Sequence, residues 1–188
     1  MKRLAVITVG KTHSGKTTFA RTLERQLDNS FVLDQDNHAE FTNKFYPMLQ
    51  PKAGPNNLKY SISKLIVDYA KTNTDQHIIA SNGNRSKEGR EYLLEEIYNQ
   101  EKFIRILVHF DIPDEILYER VNESERSTTV LRGDFSSFKE VLLKQQAESK
   151  LDDVVAPEVG EADYLFVIKY NEKFDDVIKK IVHISKCL

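Results

Sequence analysis

The octapeptide at residues 10–17 constrains this chain more than any other feature, because it fits the pattern G-x-x-x-x-G-K-[ST]. It follows the apolar run 4–9, which we predict to be a buried central strand. It leads into a stretch in which Phe19, Leu23 and Leu27 recur about once per helical turn. A strand, this loop and a helix, in that order, are the context that the pattern requires for phosphate binding. The alternative is a glycine turn into a helix that binds nothing.

The residue types of this loop suit a nucleotide triphosphate. Gly10 and Gly15 let the loop amides point inward without Cβ clashes, so these amides and the helix N-terminus form a cradle for a β-phosphate. We expect Lys16 to bridge the β- and γ-phosphates, Thr17 to offer its hydroxyl to Mg²⁺, and Thr18 to contact the α-phosphate. The candidate nucleotide-binding residues of the loop and helix start are Gly10, Thr12, His13, Ser14, Gly15, Lys16, Thr17 and Thr18.

The composition fits one globular domain over residues 1–188, with 40% hydrophobic and 30% charged residues. The formal net charge of -2 argues against a general electrostatic attraction to long nucleic acid or to an anionic membrane. The sequence has no secretory leader pattern and no apolar run of about 18 residues, and Cys187 is its single cysteine. We therefore expect no membrane span, no internal disulfide and a cytoplasmic location.

Short apolar runs that are typical of strands alternate with stretches of helical periodicity. The runs lie at residues 4–9, 31–33, 77–80, 103–110 and 164–168. This alternation predicts an α/β protein with right-handed βαβ crossovers and a parallel sheet that is covered on both faces. Ligands of such sheets gather at the carboxyl ends of the strands.

Two segments lack such a pattern. Residues 47–57 contain three prolines and a glycine, which predicts a long loop, and a long loop in a compact domain is usually functional or mobile. Residues 123–134 are polar and charged with almost no apolar anchor, which predicts a surface lid.

The loop motif, the chain length and the ends of the other strands resemble the small P-loop kinases of the adenylate-kinase-like superfamily. The likeness is greatest to the group with polynucleotide 5'-kinase domains, gluconate kinase, chloramphenicol phosphotransferase and zeta-type toxin kinases. It covers nearly the whole chain, and its one specific motif is the loop. The resemblance implies a three-layer P-loop NTPase fold with a five-stranded parallel sheet in the order 2-3-1-4-5. It also implies ATP and Mg²⁺ as cofactors.

The end of the second predicted strand carries two carboxylates, Asp34 and Asp36. In the resembled group an acidic residue at this place positions or deprotonates the substrate hydroxyl, and Asp36 is the better match. Such a carboxylate can accept the proton of an attacking hydroxyl. Asp34 would then lie near the Mg²⁺. The alternative for this pair is a helix N-cap with a first-turn charge, and His38 is as well explained by an ordinary surface position.

The end of the third predicted strand departs from the resembled group, which has an acidic residue there. Ser81 and Asn82 are neutral, so metal binding would depend on Thr17, phosphates, water and Asp34. This departure leaves a purely nucleotide-binding role open. The later Arg85 and Arg90 would either hold a substrate or phosphate, or be solvated helix charges.

Arginines in and beside the predicted lid are further candidates. In the resembled superfamily, lid arginines close over the phosphates and neutralise the transferring group, a role that Arg120, Arg126 and, with less support, Arg132 would fill. Arg120 also resembles a residue that stacks near adenine, and residues 169–171 would line a base pocket. The alternative is a mixed-charge, salt-bridged helix.

The leading hypothesis is an ATP-dependent kinase that phosphorylates a hydroxyl of a small molecule bound between Asp36 and the 47–57 loop. Its catalytic residues would be Lys16, Asp36 and Arg126. Two alternatives stay open, an ATP-dependent switch or ATPase without a dedicated acceptor, and a polynucleotide 5'-kinase. No N-K-x-D guanine motif follows a strand, since Asn43 and Lys44 precede Phe45. The sequence predicts neither the identity of the acceptor nor an oligomeric state.

Overall fold

A computed structural model describes residues 2–52, 54–131, 134–170 and 174–188. Its sheet has five strands, all parallel, in the order β2-β3-β1-β4-β5. The strands are β1 (Arg3–Val9), β2 (Ser30–Leu33), β3 (His77–Ala80), β4 (Phe103–Asp111) and β5 (Tyr164–Lys169). The predicted α/β fold class and strand order are therefore confirmed.

Helices connect the strands and cover both faces of the sheet. Within the described residues they are α1 (Lys16–Glu24), α2 (Gln35–Phe45), α3 (Asn57–Asn73), α4 (Lys87–Tyr92), α5 (Asp114–Asn122), α6 (Phe138–Glu148) and α7 (Asp175–Ser185). Helix α4 continues into one π-helical turn, Leu93–Ile97, and short 3-10 helices lie at Pro47–Leu49 and Thr128–Val130. None of the described helices combines the length and apolar character needed to cross a membrane.

The core explains why these segments adopt these elements. Strand β1 is buried on both faces from Leu4 to Val9, which is why its sequence is a continuous apolar run instead of an alternating one. One cluster packs α1, α5, α6 and α7 against the sheet, and Phe19 lies at its centre between Phe110 and Phe174. A second cluster packs α3, through Val67, and the π-helical turn after α4, through Leu94, against the other face.

The strand register brings the functional segments together. Ala80 pairs with both Ile7 and Leu33, and Val9 pairs with His109, so four strands end at the same edge of the sheet. The segments that follow these ends therefore share one cleft, as the sequence predicts for a parallel sheet.

Candidate active site

The loop after β1 has a backbone that its glycines make possible. Gly10 has φ 151° and Gly15 has φ 101°, in the left-handed region that other residues rarely adopt. A Cβ at Gly10 would lie 3.1 Å from the Phe110 Cβ and 3.1 Å from the Ser14 Oγ. No side chain in the described ranges caps the N-terminus of α1, so its first amides can face the cleft as an anion cradle.

Lys16 folds back onto this loop. Its Nζ donates to the Lys11 carbonyl at 2.5 Å and to the Ser14 Oγ at 3.2 Å. Burial, opposed by Asp36 and assisted by Arg126, lowers the pKa of the Lys16 amine to about 8. The amine is therefore held inside the loop by two neutral acceptors, which a phosphate can replace.

Thr17 and Asp34 form an oxygen-rich pair beside the cradle. The Thr17 Oγ1 donates to the Asp34 Oδ2 at 3.5 Å, and Asp34 is only 4% exposed. Asp34 also caps α2, since its Oδ1 accepts the Asp36 amide at 3.0 Å. Burial, and next the Asp36 carboxylate, raise the pKa of Asp34. Asp34 is thus both the N-cap of α2 and the carboxylate that we predict to lie near the metal.

Asp36 and the lid meet at the mouth of the cleft. Asp36 lies in the first turn of α2 and forms an ion pair with Arg126, whose guanidinium stacks 4.8 Å from the centre of the Phe138 ring. The Arg120 Nη1 donates to the His13 carbonyl at 3.2 Å. Both arginines therefore reach the loop side of the cleft, whereas Arg132 and part of the 169–171 segment lie outside the described residues.

Residues 129 and 131 of the predicted lid are hydrogen-bonded to side chains of α2 and of the segment after it. The Asn43 side chain donates to the carbonyls of Thr129 and Leu131 at 2.8 and 3.1 Å, and Gln50 also donates to Leu131 at 3.1 Å. Of the predicted 47–57 loop, Asn56 and Asn57 are the described residues that line the cleft.

The pKa of His13 is lowered by the positive charges around the phosphate loop. Burial, and then the charges of Arg126, Lys16 and Arg120, lower its pKa to about 4, so the ring is neutral at pH 7. The ring packs edge-on against Phe138, with centroids 5.0 Å apart. A neutral ring amid three cations marks a pocket suited to a polyanion.

The end of β3, the segment after it and α4 carry a buried serine and two arginines in ion pairs. Ser81 is 4% exposed, and its Oγ has no hydrogen-bond partner among the residues that the structure describes. Arg85 pairs with Glu148 at 3.2 Å, and the wholly buried Arg90 pairs with Glu161 through contacts of 2.5 and 3.2 Å. The wholly buried Arg90 is therefore not a solvated helix charge. Arg85 also lines the cleft, so its contact with a substrate or phosphate stays a prediction.

Sequence reasoning missed Gln145 on α6. Its Oε1 accepts the backbone amide of Thr12 at 2.7 Å, and so fixes the middle of the phosphate loop. The two residues are 133 positions apart and no motif links them, so the pattern held no indication of this contact.

The cleft is large enough for two substrates. Its volume is about 1250 Å³, and it runs from the phosphate loop and lid to the walls formed by α3 and α4. A second, smaller cavity of about 190 Å³ lies behind the loop.

Comparisons with known proteins agree with this architecture. A family model described as an AAA domain matches residues 6–149. No curated protein matches the sequence. The fold is similar to that of a sugar kinase from Janibacter sp., with 18% identity, a TM-score of 0.61, and coverage of 96% of this chain and 93% of the other.

Two further solved structures share the fold. A putative kinase from Chloroflexus aurantiacus has a TM-score of 0.70 at 13% identity, with 97% of this chain and 98% of that chain covered. The APS kinase from Mycobacterium tuberculosis, solved in complex with AMPPNP and APS, has a TM-score of 0.60 at 15% identity, with 98% of each chain covered. The P-loop kinase fold is therefore common to all of them.

Proposed function

This chain belongs to the AAA domain family, and on that premise we propose that it is a phosphotransferase that moves the γ-phosphoryl group of ATP to a hydroxyl of a small molecule. The observation that carries the proposal is the juxtaposition of Asp36, Arg126 and the phosphate loop in one cleft. A nucleotide-binding switch needs the loop alone, whereas a carboxylate opposite the γ-phosphate position suits transfer to an acceptor.

The nucleotide is held by the residues predicted from the motif. The loop amides and the α1 N-terminus bind the β-phosphate, Lys16 exchanges its two neutral acceptors for the β- and γ-phosphates, and Thr18 contacts the α-phosphate. Arg120, which donates to the His13 carbonyl and lines the cleft, would lie beside the nucleotide.

The transfer step uses Asp36 as the base. The acceptor oxygen attacks the γ-phosphorus, a new P–O bond forms, and the bond to the β,γ-bridging oxygen breaks, so ADP leaves. The hydroxyl proton passes to Asp36. Arg126 must release Asp36 for this step, and its guanidinium then neutralises the charge on the phosphoryl oxygens.

The site fits Mg²⁺ at Thr17 and Asp34, which present a hydroxyl and a buried carboxylate 3.5 Å apart. Among the described residues there is no cluster of three or more His, Cys, Asp or Glu side chains that could hold a metal, so phosphates and water would complete the coordination. When bound, Mg²⁺ supplies charge neutralisation at the phosphates.

The test is label transfer from γ-labelled ATP into sugars, nucleosides and 5'-hydroxyl oligonucleotides. We expect Asp36→Asn to lower kcat by about 10²–10⁴-fold without weakening ATP binding, because it removes the base and leaves the loop intact. Glu40→Gln is the matched control, since Glu40 is an exposed carboxylate on the same helix α2. Lys16→Ala should abolish the thermal shift that ATP produces.

Two results would contradict the proposal. An unchanged ATP-induced shift in Lys16→Ala would exclude the loop as the nucleotide site. Undiminished transfer in Asp36→Asn would exclude Asp36 as the base. The neutral Ser81 and Asn82 at the end of β3 favour one competing function, an ATPase or switch, and ATP hydrolysis with no transfer to any acceptor would support it.

A further inference from the structure

The backbone of the phosphate loop is strained at His13. This residue has φ 58°, in the left-handed region, although it is not a glycine. Gly10 and Gly15, on either side of it, also have positive φ values. A residue other than glycine keeps such a backbone only where its surroundings hold it there. The contacts around His13 therefore decide whether the loop keeps the shape of a phosphate cradle.

Helix α6 supplies two of these contacts. The Gln145 Oε1 accepts the backbone amide of Thr12, the residue before His13, at 2.7 Å. The Phe138 ring packs edge-on against the His13 ring, with centroids 5.0 Å apart. One contact thus holds the backbone next to the strained residue, and the other holds its side chain. Helix α6 therefore stabilises the loop at the position where the backbone would otherwise relax.

The hydrogen bond from Gln145 also orients the carbonyl that Lys16 contacts. The Lys11 carbonyl and the Thr12 amide belong to one planar peptide unit. The Lys16 Nζ donates to the carbonyl of this unit at 2.5 Å, while its N–H donates to Gln145. Because the unit is rigid, fixing the direction of its N–H fixes the direction of its carbonyl. Gln145 thus determines where the Lys16 amine lies before a phosphate arrives.

The position of Gln145 is itself well fixed. The Arg85 Nη2 donates to the Gln145 backbone carbonyl at 2.5 Å, and Arg85 pairs with Glu148 on the next turn of α6 at 3.2 Å. Leu142, about one turn earlier, is wholly buried in the core. The side-chain amide accepts an N–H through its oxygen, and it cannot flip without losing this bond. Gln145 is therefore a rigid support for the loop.

We propose that Gln145 is a positioning residue, which holds the free phosphate loop in the conformation that binds nucleotide. This inference rests on the nucleotide site of the proposed phosphotransferase. Without Gln145, the free loop adopts the cradle conformation for only part of the time, and the apparent affinity for nucleotide falls by that fraction. In the complex the phosphates themselves hold the loop. The loss should therefore lower the association rate constant and leave the dissociation rate constant unchanged.

The test is stopped-flow fluorescence with the N-methylanthraniloyl derivative of AMPPNP and Mg²⁺, which gives both rate constants. Gln145→Met keeps the length of the side chain and offers the Thr12 amide only a weak acceptor. We expect the association rate constant to fall by about 3–10-fold, as the loss of one hydrogen bond implies, with dissociation changed by less than about twofold.

Two further variants locate the effect at the Thr12 amide. Gln146→Met is the matched control, because Gln146 is the next residue of α6 and is not among the described residues that line the cleft. It should keep both wild-type rate constants. Gln145→Glu keeps an oxygen acceptor, and in about 0.5 M salt, which screens the added charge, it should recover most of the lost association rate. Thermal unfolding of each free variant shows that it is folded at the assay temperature.

Each outcome decides the inference. An unchanged association rate constant in Gln145→Met overturns it, as does a variant that only unfolds at a lower temperature. Faster dissociation with normal association overturns it as well, because Gln145 would then contact the bound nucleotide. A Gln145→Glu variant as slow as Gln145→Met contradicts the role of the Thr12 amide. If the wild-type protein binds no nucleotide, the proposed function itself fails, so the two failures are distinguishable.

Discussion

Raising the pH from 7 to 9 should weaken ATP binding about tenfold, because free Lys16 loses its proton in this interval. Burial lowers the pKa of this amine from 10.5 to about 8 in the unliganded loop. Bound phosphates favour the charged amine, so its pKa rises in the complex. The protonated fraction of the free protein is about nine-tenths at pH 7 and about one-tenth at pH 9. This ratio corresponds to ~1.4 kcal/mol of binding free energy.

Calorimetric titration with AMPPNP and Mg²⁺ measures the pH dependence of nucleotide binding without hydrolysis or transfer. Titrations at pH 7, 8 and 9, each in two buffers of different ionisation enthalpy, give both the Kd and the number of protons taken up. We expect uptake of about 0.1 proton at pH 7 and about 0.9 at pH 9. The uncharged Lys16→Gln variant should bind more weakly at every pH, with a Kd that no longer depends on pH through this group.

Either of two results would refute this reasoning. A Kd that stays flat between pH 7 and 9 would mean that the Lys16 amine is not deprotonated in the free loop. A slope that persists in Lys16→Gln would mean that another group titrates.

Two further predictions concern backbone and core. Gly10→Ala should lower the free energy of unfolding in urea by roughly 1–3 kcal/mol, because the new Cβ would press on Phe110 and a φ of 151° is strained for alanine. It should also abolish the thermal shift that ATP produces. An unchanged free energy of unfolding would contradict the close packing at Gly10. Arg90→Met should cost about 3–5 kcal/mol, since it leaves Glu161 without its buried partner. The double variant Arg90→Met/Glu161→Gln should recover part of this loss, and full additivity of the two single changes would argue against the pair.

The sequence predicts those features that depend on neighbouring residues. The β1 strand and the phosphate loop follow from a continuous apolar run and from two glycines at fixed spacing, which are local constraints on the backbone. Helix α2 has no apolar periodicity, because only Ala39 and Thr42 of its eleven residues are buried, and the sequence indicates it only through the N-cap alternative for Asp34 and Asp36.

Contacts between residues that are far apart in the sequence cannot be predicted from local patterns. Arg90 looks like any helix charge until its partner Glu161, 71 positions away, is brought beside it. The contact between Arg126 and Asp36 spans 90 positions, and the sequence suggests each residue separately without indicating that they pair. The walls of the cleft likewise come from segments that only the sheet order brings together.

The ion pair between Asp36 and Arg126 affects how readily ATP would be hydrolysed when no acceptor is bound. While Arg126 holds the carboxylate, a water molecule in a cleft that contains ATP alone meets a base whose negative charge is already neutralised. Entry of an acceptor hydroxyl competes for the same carboxylate and frees the guanidinium. In the proposed reaction the ion pair therefore slows hydrolysis of ATP by water when no acceptor is bound. Binding of the acceptor breaks the pair and makes the Asp36 carboxylate available as the base.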